Sequence, residues 1–275
     1  MYPTLIDFGP FGIHSYGLML ACAFIAVVFV LQRELKRRGF VSEVASSIVM
    51  AAGIGGVVGA KLYSALQDGQ LRFDELFSTS GLVWYGGLIG GSLAVSLYIL
   101  RSPNPYLPTI DIIGPTLLLG YGIGRIGCFL AGDGDYGPPS DLPWAMAFPN
   151  GTVPTDVPVH PTPLYETSIS FAFFGILWAR RHRLEETPGV LFGASLILLG
   201  IERFIVEFWR INPRIYAGLS TAQFFSIFLV IVGSGFVFWM RSRSKVAPAV
   251  LEVEPPVSDA SKPSPRRARR RKKRR

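Results

Sequence analysis

Apolar residues run along most of this chain in blocks of 17–23 residues, separated by short stretches rich in charge, Gly and Pro. The blocks lie at about 15–32, 45–66, 81–100, 109–131, 164–180, 188–208 and 218–240. A helix of about 20 apolar residues covers the ~30 Å of hydrocarbon in a bilayer. Backbone groups in that layer find no water and must pair within their own segment. The pattern therefore predicts an all-α polytopic membrane protein with about seven transmembrane helices.

The basic residues predict an orientation. Of the 27 Lys and Arg, 21 fall in alternate connections: Arg33, Lys36, Arg37 and Arg38, then Arg101, then Arg180, Arg181 and Arg183, then the C-terminal tail. The opposite connections hold only Arg72, Arg210 and Arg214, and the loop 132–163 holds none. Cytoplasmic loops carry the excess of Lys and Arg, so the N-terminus is expected outside and the C-terminus in the cytoplasm. Residues 1–14 contain no Lys or Arg. A cleavable signal peptide needs a charged n-region, so the first span is expected to stay as a permanent helix. No internal repeat suggests a paired-repeat transporter.

Composition refines the picture. Only 17% of residues are charged, against roughly 25% in soluble domains. The formal net charge of +8 is concentrated in residues 241–275, which carry 13 Lys and Arg against three acids. The body is slightly acidic, so the balance does not argue for a nucleic-acid-binding fold. Residues 1–243 read as one transmembrane domain. Residues 244–275, in which nine of the last ten are Lys or Arg, read as a disordered polybasic cytoplasmic tail attracted to anionic lipid. Cys22 and Cys128 are too few for a disulfide framework.

The outer loop 132–163 is rich in Gly, Pro and Asp. Trp144, Met146 and Phe148 are candidates for the membrane interface. Asp133 and Asp135 invite a calcium reading, but the third ligand and the glycine of an EF-hand loop are misplaced, which favours turn capping.

Charges inside a membrane cost at least about 2.5–3.5 kcal/mol each at the centre and need a reason. Lys61, Arg125 and Arg203 fall within the spans, with Asp111, Glu166, Glu202 and Glu207 inside or at their edges. Arg203 and Glu207 are spaced i, i+4 on one helix face, which fits a structural ion pair. Arg125 has no acid within four residues and stands among Gly120, Gly122, Gly124 and Gly127. Glycines let a helix or a ligand come close, and a guanidinium in such a setting suits a phosphate. Gly122, Gly124 and Gly127 spell a dinucleotide fingerprint, but no strand precedes it. Gly86 and Gly87, and Gly53, Gly55, Gly56 and Gly59 ahead of Lys61, also fit tight helix contacts. His182 reads as solvated. His14, Tyr16 and His160 sit where interfacial anchors are common.

These residues together resemble the bacterial prolipoprotein diacylglyceryl transferase family over about residues 10–240. The strongest match is Gly124-Arg125-Ile126-Gly127-Cys128-Phe129-Leu130-Ala131-Gly132-Asp133, similar to the family's G-R-I-G-N-F-x-N-G-E. Supporting matches are His14-Ser15-Tyr16-Gly17, Gly86-Gly87-Leu88-Ile89-Gly90, His160-Pro161-Thr162-Pro163-Leu164-Tyr165-Glu166 and Arg203-Phe204-Ile205-Val206-Glu207-Phe208-Trp209-Arg210. The departures are Tyr85 where the family often has His, Cys128 and Ala131 for the two Asn, and Asp133 for Glu.

The resemblance implies a transferase of the bacterial cytoplasmic (inner) membrane. It would move the diacylglyceryl group of phosphatidylglycerol to the lipobox cysteine of preprolipoprotein signal peptides, with no metal or soluble cofactor and no nucleic-acid partner. Arg125 is the first choice to hold the phosphate and Arg203 the second, with Glu207 orienting Arg203 and Arg210 meeting headgroups. Tyr85 and His14 are the candidates to help the incoming thiol. Tyr16, Gly86, Gly87, Gly124, Gly127, Tyr165 and Glu166 complete the expected substrate surface. A lipid or anion transporter and a non-catalytic lipid-binding relative are the competing readings.

Overall fold

The computed structural model describes residues 1–7, 12–67 and 84–246. Arg72, residues 81–83 of the third expected span and the tail beyond 246 lie outside the described residues. Seven helices are present among the described residues: α1 Ser15–Arg37, α2 Val44–Gln67, α3 Trp84–Arg101, α4 Tyr106–Ala131, α5 Thr162–Leu184, α6 Val190–Val206 and α7 Thr221–Val246. Each coincides with one apolar block. Four of them, α1, α2, α4 and α7, are long and apolar enough to cross a membrane.

The fold is not purely helical. Among the described residues, three two-stranded antiparallel hairpins stand beside the helices: β1 Thr4–Asp7 with β2 Gly12–His14, β3 Met146–Phe148 with β4 Thr155–Val159, and β5 Arg214–Tyr216 with β6 Leu219–Ser220. Strands of two to five residues are too short to show an alternating pattern. The β3–β4 hairpin also corrects one expectation. Its register shifts between Met146 and Phe148, so two residues that would share a face of a regular strand part company. Met146 and Trp144 are exposed, while Phe148 is buried against Phe129 and Tyr136.

Helix ends follow local chemistry. Gly132, at φ +59°, closes α4 in the left-handed conformation with its N–H on the Cys128 carbonyl, where a Cβ would be strained. The start of α6 is capped from a distance. Buried Asp111 of α4 accepts the Gly189 N–H at 2.6 Å and the Phe192 N–H at 2.8 Å, satisfying amide groups that a helix N-terminus leaves open.

Packing divides the bundle. In lipid, apolar surface gives little drive for helix association, and small residues that let backbones approach take its place. Gly55 and Gly59 of α2 interlock with Gly86 and Gly90 of α3. A Cβ on Gly59 would lie 2.3 Å from the Gly86 carbonyl oxygen, and one on Gly90 2.3 Å from that of Gly55. α6 meets α7 in the same way at Gly193, Gly200 and Gly233. α4 packs against α1, α5 and α6 and is the central helix of the body. At the end of the bundle where α1 finishes, Leu31, Leu35, Val44, Ala45, Ile48, Ile99, Ile110 and Ile112 form an apolar core. Beside it, buried Glu34 pairs with Arg37 at 2.5 Å and Arg181 at 3.5 Å, and Glu185 with Arg38 at 3.0 Å, tying α1 to α5. His182, expected to be merely solvated, is exposed and lies 3.3 Å from Glu185.

The glycine lock makes a direct prediction. Gly59→Ala and Gly86→Ala force α2 and α3 apart, and overpacking of this kind costs about 1–3 kcal/mol. Both variants should melt below wild type in detergent. Gly53→Ala, whose Cβ meets nothing within 4 Å, gains helix propensity and should melt at or above it. Equal melting of all three would remove the lock from the account of stability.

Candidate functional site

Three arginines converge at the end of the bundle opposite the Glu34 cluster. Arg125 comes from the last two turns of α4, Arg203 from the last turn of α6, and Arg210 from just beyond the 3-10 helix Glu207–Trp209. The residue that gathers them is Glu166, in the second turn of α5 and fully buried. Its Oε2 lies 2.8 Å from Arg125 Nε, its Oε1 2.8 Å from Arg203 Nη1 and 3.6 Å from Arg210 Nη1. The Tyr121 hydroxyl donates to Oε1 at 3.0 Å and accepts from Arg125 Nη2 at 3.0 Å. Tyr121 precedes Arg125 by four residues, one helix turn, and its ring lies 4.9 Å from the guanidinium carbon.

Glu207, also fully buried, completes the Arg203 side. Its Oε2 is 2.8 Å from Arg203 Nη2, while Oε1 accepts from Ser220 at 2.6 Å and Asn212 at 2.7 Å. The expected i, i+4 pair therefore exists, and it is one edge of a larger network. Asp135, in the turn after α4, bridges Arg125 Nη1 and Arg210 Nη2 with its two carboxylate oxygens. Burial pushes the Asp135 carboxyl up, but the two guanidiniums more than offset it and hold it below the usual carboxylate range. The ion pairs thus join three guanidiniums and three carboxylates, and a further buried acid, Glu202, accepts instead from the Ser170 hydroxyl at 2.5 Å. Buried ions are tolerated only when paired and hydrogen-bonded, and removing one partner costs about 3–5 kcal/mol.

An aromatic group stands on the solvent side. Trp144 Nε1 donates to the Tyr165 hydroxyl at 2.7 Å. That hydroxyl is 3.2 Å from His160 Nδ1, and the Tyr165 ring meets Trp209 edge-on at 6.2 Å. An indole N–H can only donate, so the Tyr165 O–H is left to donate to His160. Gly137 sits where these elements cross. A Cβ there would be 2.1 Å from the Trp209 carbonyl oxygen and 2.9 Å from His160 Cβ.

The remaining sequence candidates are distributed differently. Tyr16 lies against α4, its Cα 3.3 Å from where a Gly127 Cβ would stand, so Gly127 serves the α1–α4 contact. Gly124 faces open space. Gly86 and Gly87 face α2, the packing role that the sequence offered as their alternative. His14 ends β2, with Nδ1 3.3 Å from Thr4 Oγ1. Tyr85 packs edge-on against Phe225 of α7 at 5.8 Å. Among the described residues, none of the hydrogen bonds or ion pairs of the three arginines runs to His14 or Tyr85.

Two members were missed in the sequence. Tyr121 was detectable as the i−4 neighbour of Arg125. Asp135 had no periodic signal, only the requirement that a buried Arg125 find an acid beyond its own helix. Its neighbour Asp133 does cap the turn, accepting the Asp135 N–H at 3.2 Å. Cys128, Asp133 and Asp135 bring a thiol and two carboxylates within 4.8 Å of one another. That set does not fit a cation, because Arg125 lies among them, paired with Asp135 and 3.6 Å from the buried Cys128 Sγ.

Residues 3–239 match the family model described as prolipoprotein diacylglyceryl transferase. Among similar proteins, the phosphatidylglycerol–prolipoprotein diacylglyceryl transferase of Clostridium tetani is 37% identical over 86% of this chain and 97% of its own length. Proteins of the same name from Geobacter sulfurreducens and Pseudomonas putida are 32% and 30% identical over 90% and 89% of this chain, and over 97% and 96% of their own lengths.

The glycine geometry predicts opposite outcomes at two positions. Gly137→Ala should lose the monodisperse detergent peak in size-exclusion chromatography, because backbone blocks the added methyl. Gly124→Ala should elute and melt like wild type. A well-folded Gly137→Ala would show that the crossing relaxes freely.

Proposed function

Because the chain belongs to the prolipoprotein diacylglyceryl transferase family, we propose that it transfers the diacylglyceryl group of phosphatidylglycerol to the lipobox cysteine of a preprolipoprotein, and that the arginine cluster is where this happens. The observation that carries the site is the convergence of Arg125, Arg203 and Arg210 on Glu166. In the reaction a C–S bond forms and the C–O bond to phosphate breaks. The leaving glycerol 1-phosphate takes the proton that the thiol gives up. Negative charge gathers on the phosphate as the bond breaks, and guanidiniums fixed beforehand stabilise it without reorganising. In this reading Arg125 and Arg210 grip the non-ester oxygens, with Arg203 held behind them by Glu166 and Glu207. A thiol of ordinary pKa, about 8.5, needs only modest help to ionise, and Tyr85 and His14 remain the residues proposed to give it.

The topology belongs to the same reading. Seven helices span the bacterial cytoplasmic membrane, with the N-terminus and the arginine cluster outside. Arg33, Lys36, Arg37, Arg38 and Arg181 gather at the opposite end, as the positive-inside rule requires of a cytoplasmic face. The lipid and the signal peptide then reach the site from the outer leaflet. Residues 244–275 are an accessory polybasic tail, and truncation after Val246 should leave transfer unchanged.

Two measurements test the site. Arg125→Lys keeps the charge and loses the planar fork. Transfer to a lipobox peptide, read as a mass shift in purified detergent samples, should fall at least about 100-fold, the loss that follows removal of one such donor, with melting close to wild type. Arg203→Ala should be as severe. Glu207→Gln, which can still accept one hydrogen bond, should be milder. Near-normal turnover by Arg125→Lys would remove it from the site. Complementation of a transferase-depleted bacterium tests the activity itself.

A further inference from the structure

The complete pairing of the arginine cluster raises a question of how an anion enters. Every guanidinium in it already faces a carboxylate, so an added phosphodiester would leave the buried group with excess negative charge. One carboxylate must give way, and the three are not equivalent. Glu166 and Glu207 are fully buried, and each is held by a neutral hydrogen-bond donor besides its arginines, Tyr121 for one and Ser220 and Asn212 for the other. Asp135 lies in the turn after α4, its side chain 31% exposed. Among the described residues, the hydrogen bonds to its carboxylate come from Arg125 and Arg210 alone.

We infer that Asp135 is the resident anion of the site: its carboxylate occupies the seat that a phosphodiester takes on Arg125 and Arg210, and lipid binds by exchanging with it. The inference rests on the arginine cluster being the phosphate site. Carboxylate and phosphate both present two oxygens to the guanidinium fork. Asp135 places one oxygen on each arginine, as the two non-ester oxygens of a phosphodiester would. Both anions carry one negative charge, so exchange leaves the charge facing Arg125 and Arg210 unchanged.

The backbone favours the exchange. The Asp135 carbonyl accepts the Thr162 hydroxyl, and its N–H donates to Asp133 Oδ1 at 3.2 Å. Neither bond involves the carboxylate. Rotation of one side chain therefore clears the seat while the turn stays in place. Because the two arginines keep Asp135 ionised at neutral pH, the exchange is not evaded by protonation there.

A resident competitor lowers apparent affinity by the fraction of time it leaves the seat open. If that fraction is about one tenth, removing the charge should lower KM for phosphatidylglycerol about tenfold. Asp135→Asn and Asp135→Ala are compared with wild type in two ways: KM and kcat for transfer to a lipobox peptide, and the rise in melting temperature caused by inorganic phosphate in detergent. The expected result is a lower KM and a larger phosphate-induced rise in both variants, even if each melts lower without phosphate.

An unchanged or higher KM, with phosphate stabilising all three proteins equally, would make Asp135 an ordinary counter-ion and overturn the inference. Loss of kcat at constant KM would overturn it too, placing Asp135 in the chemistry and not in the seat. If phosphate stabilises none of the proteins and Arg125→Lys keeps its turnover, the underlying phosphate site itself is wrong.

Discussion

A single buried carboxylate, Glu166, decides whether the rest of this site can exist. Arginines from α4 and α6 would repel one another in a medium that screens charge poorly. Between them Glu166 turns repulsion into two short ion pairs, with Tyr121 supplying a further bond. The cost of burying it is offset only when all these partners are present, because a half-paired ion in a low dielectric is worse than none. The position of α5 against α4 and α6 is therefore a condition of the arginine cluster as well as of packing.

The bundle is held by two kinds of adhesion. Glycine faces hold α2 to α3 and α6 to α7 by close backbone approach, without charge. Ion pairs hold α4, α5 and α6 together at one end and α1 to α5 at the other. Close glycine contacts tolerate almost no added atom, whereas a guanidinium can exchange partners as long as some anion remains. The arginine cluster is built from the second kind of contact, on a frame fixed by the first, as the proposed exchange of a charged lipid there would need.

Much of this was legible in the sequence, and the remainder was hidden for identifiable reasons. The helices were readable because membrane spans need long apolar blocks. The Arg203–Glu207 pair was readable because four residues make one helical turn. Arg125 was singled out as a charge without a local partner, but its true partners, Glu166 and Asp135, lie on another helix and in a turn, where no periodicity points. The hairpins escaped because strands of a few residues leave no pattern. Phe148 was misplaced because a register shift, invisible in sequence, turned it inward. Gly86 and Gly87 could not be assigned between ligand and helix from composition alone, since both uses require the same absence of a side chain.

The distance along the chain between Arg125 and Glu166 has a consequence for biosynthesis. At about 5–20 residues per second, α4 leaves the ribosome some seconds before the carboxylate that neutralises its arginine. A lone guanidinium in hydrocarbon is costly, and Arg210, needed for the last ion pairs, is made later still. Arg125 stands near the end of α4, however, with Gly132 closing the helix two turns on. From there its long side chain can reach the headgroup layer while it waits. A guanidinium so near a helix end can take lipid phosphate as its temporary partner while the nascent helix inserts.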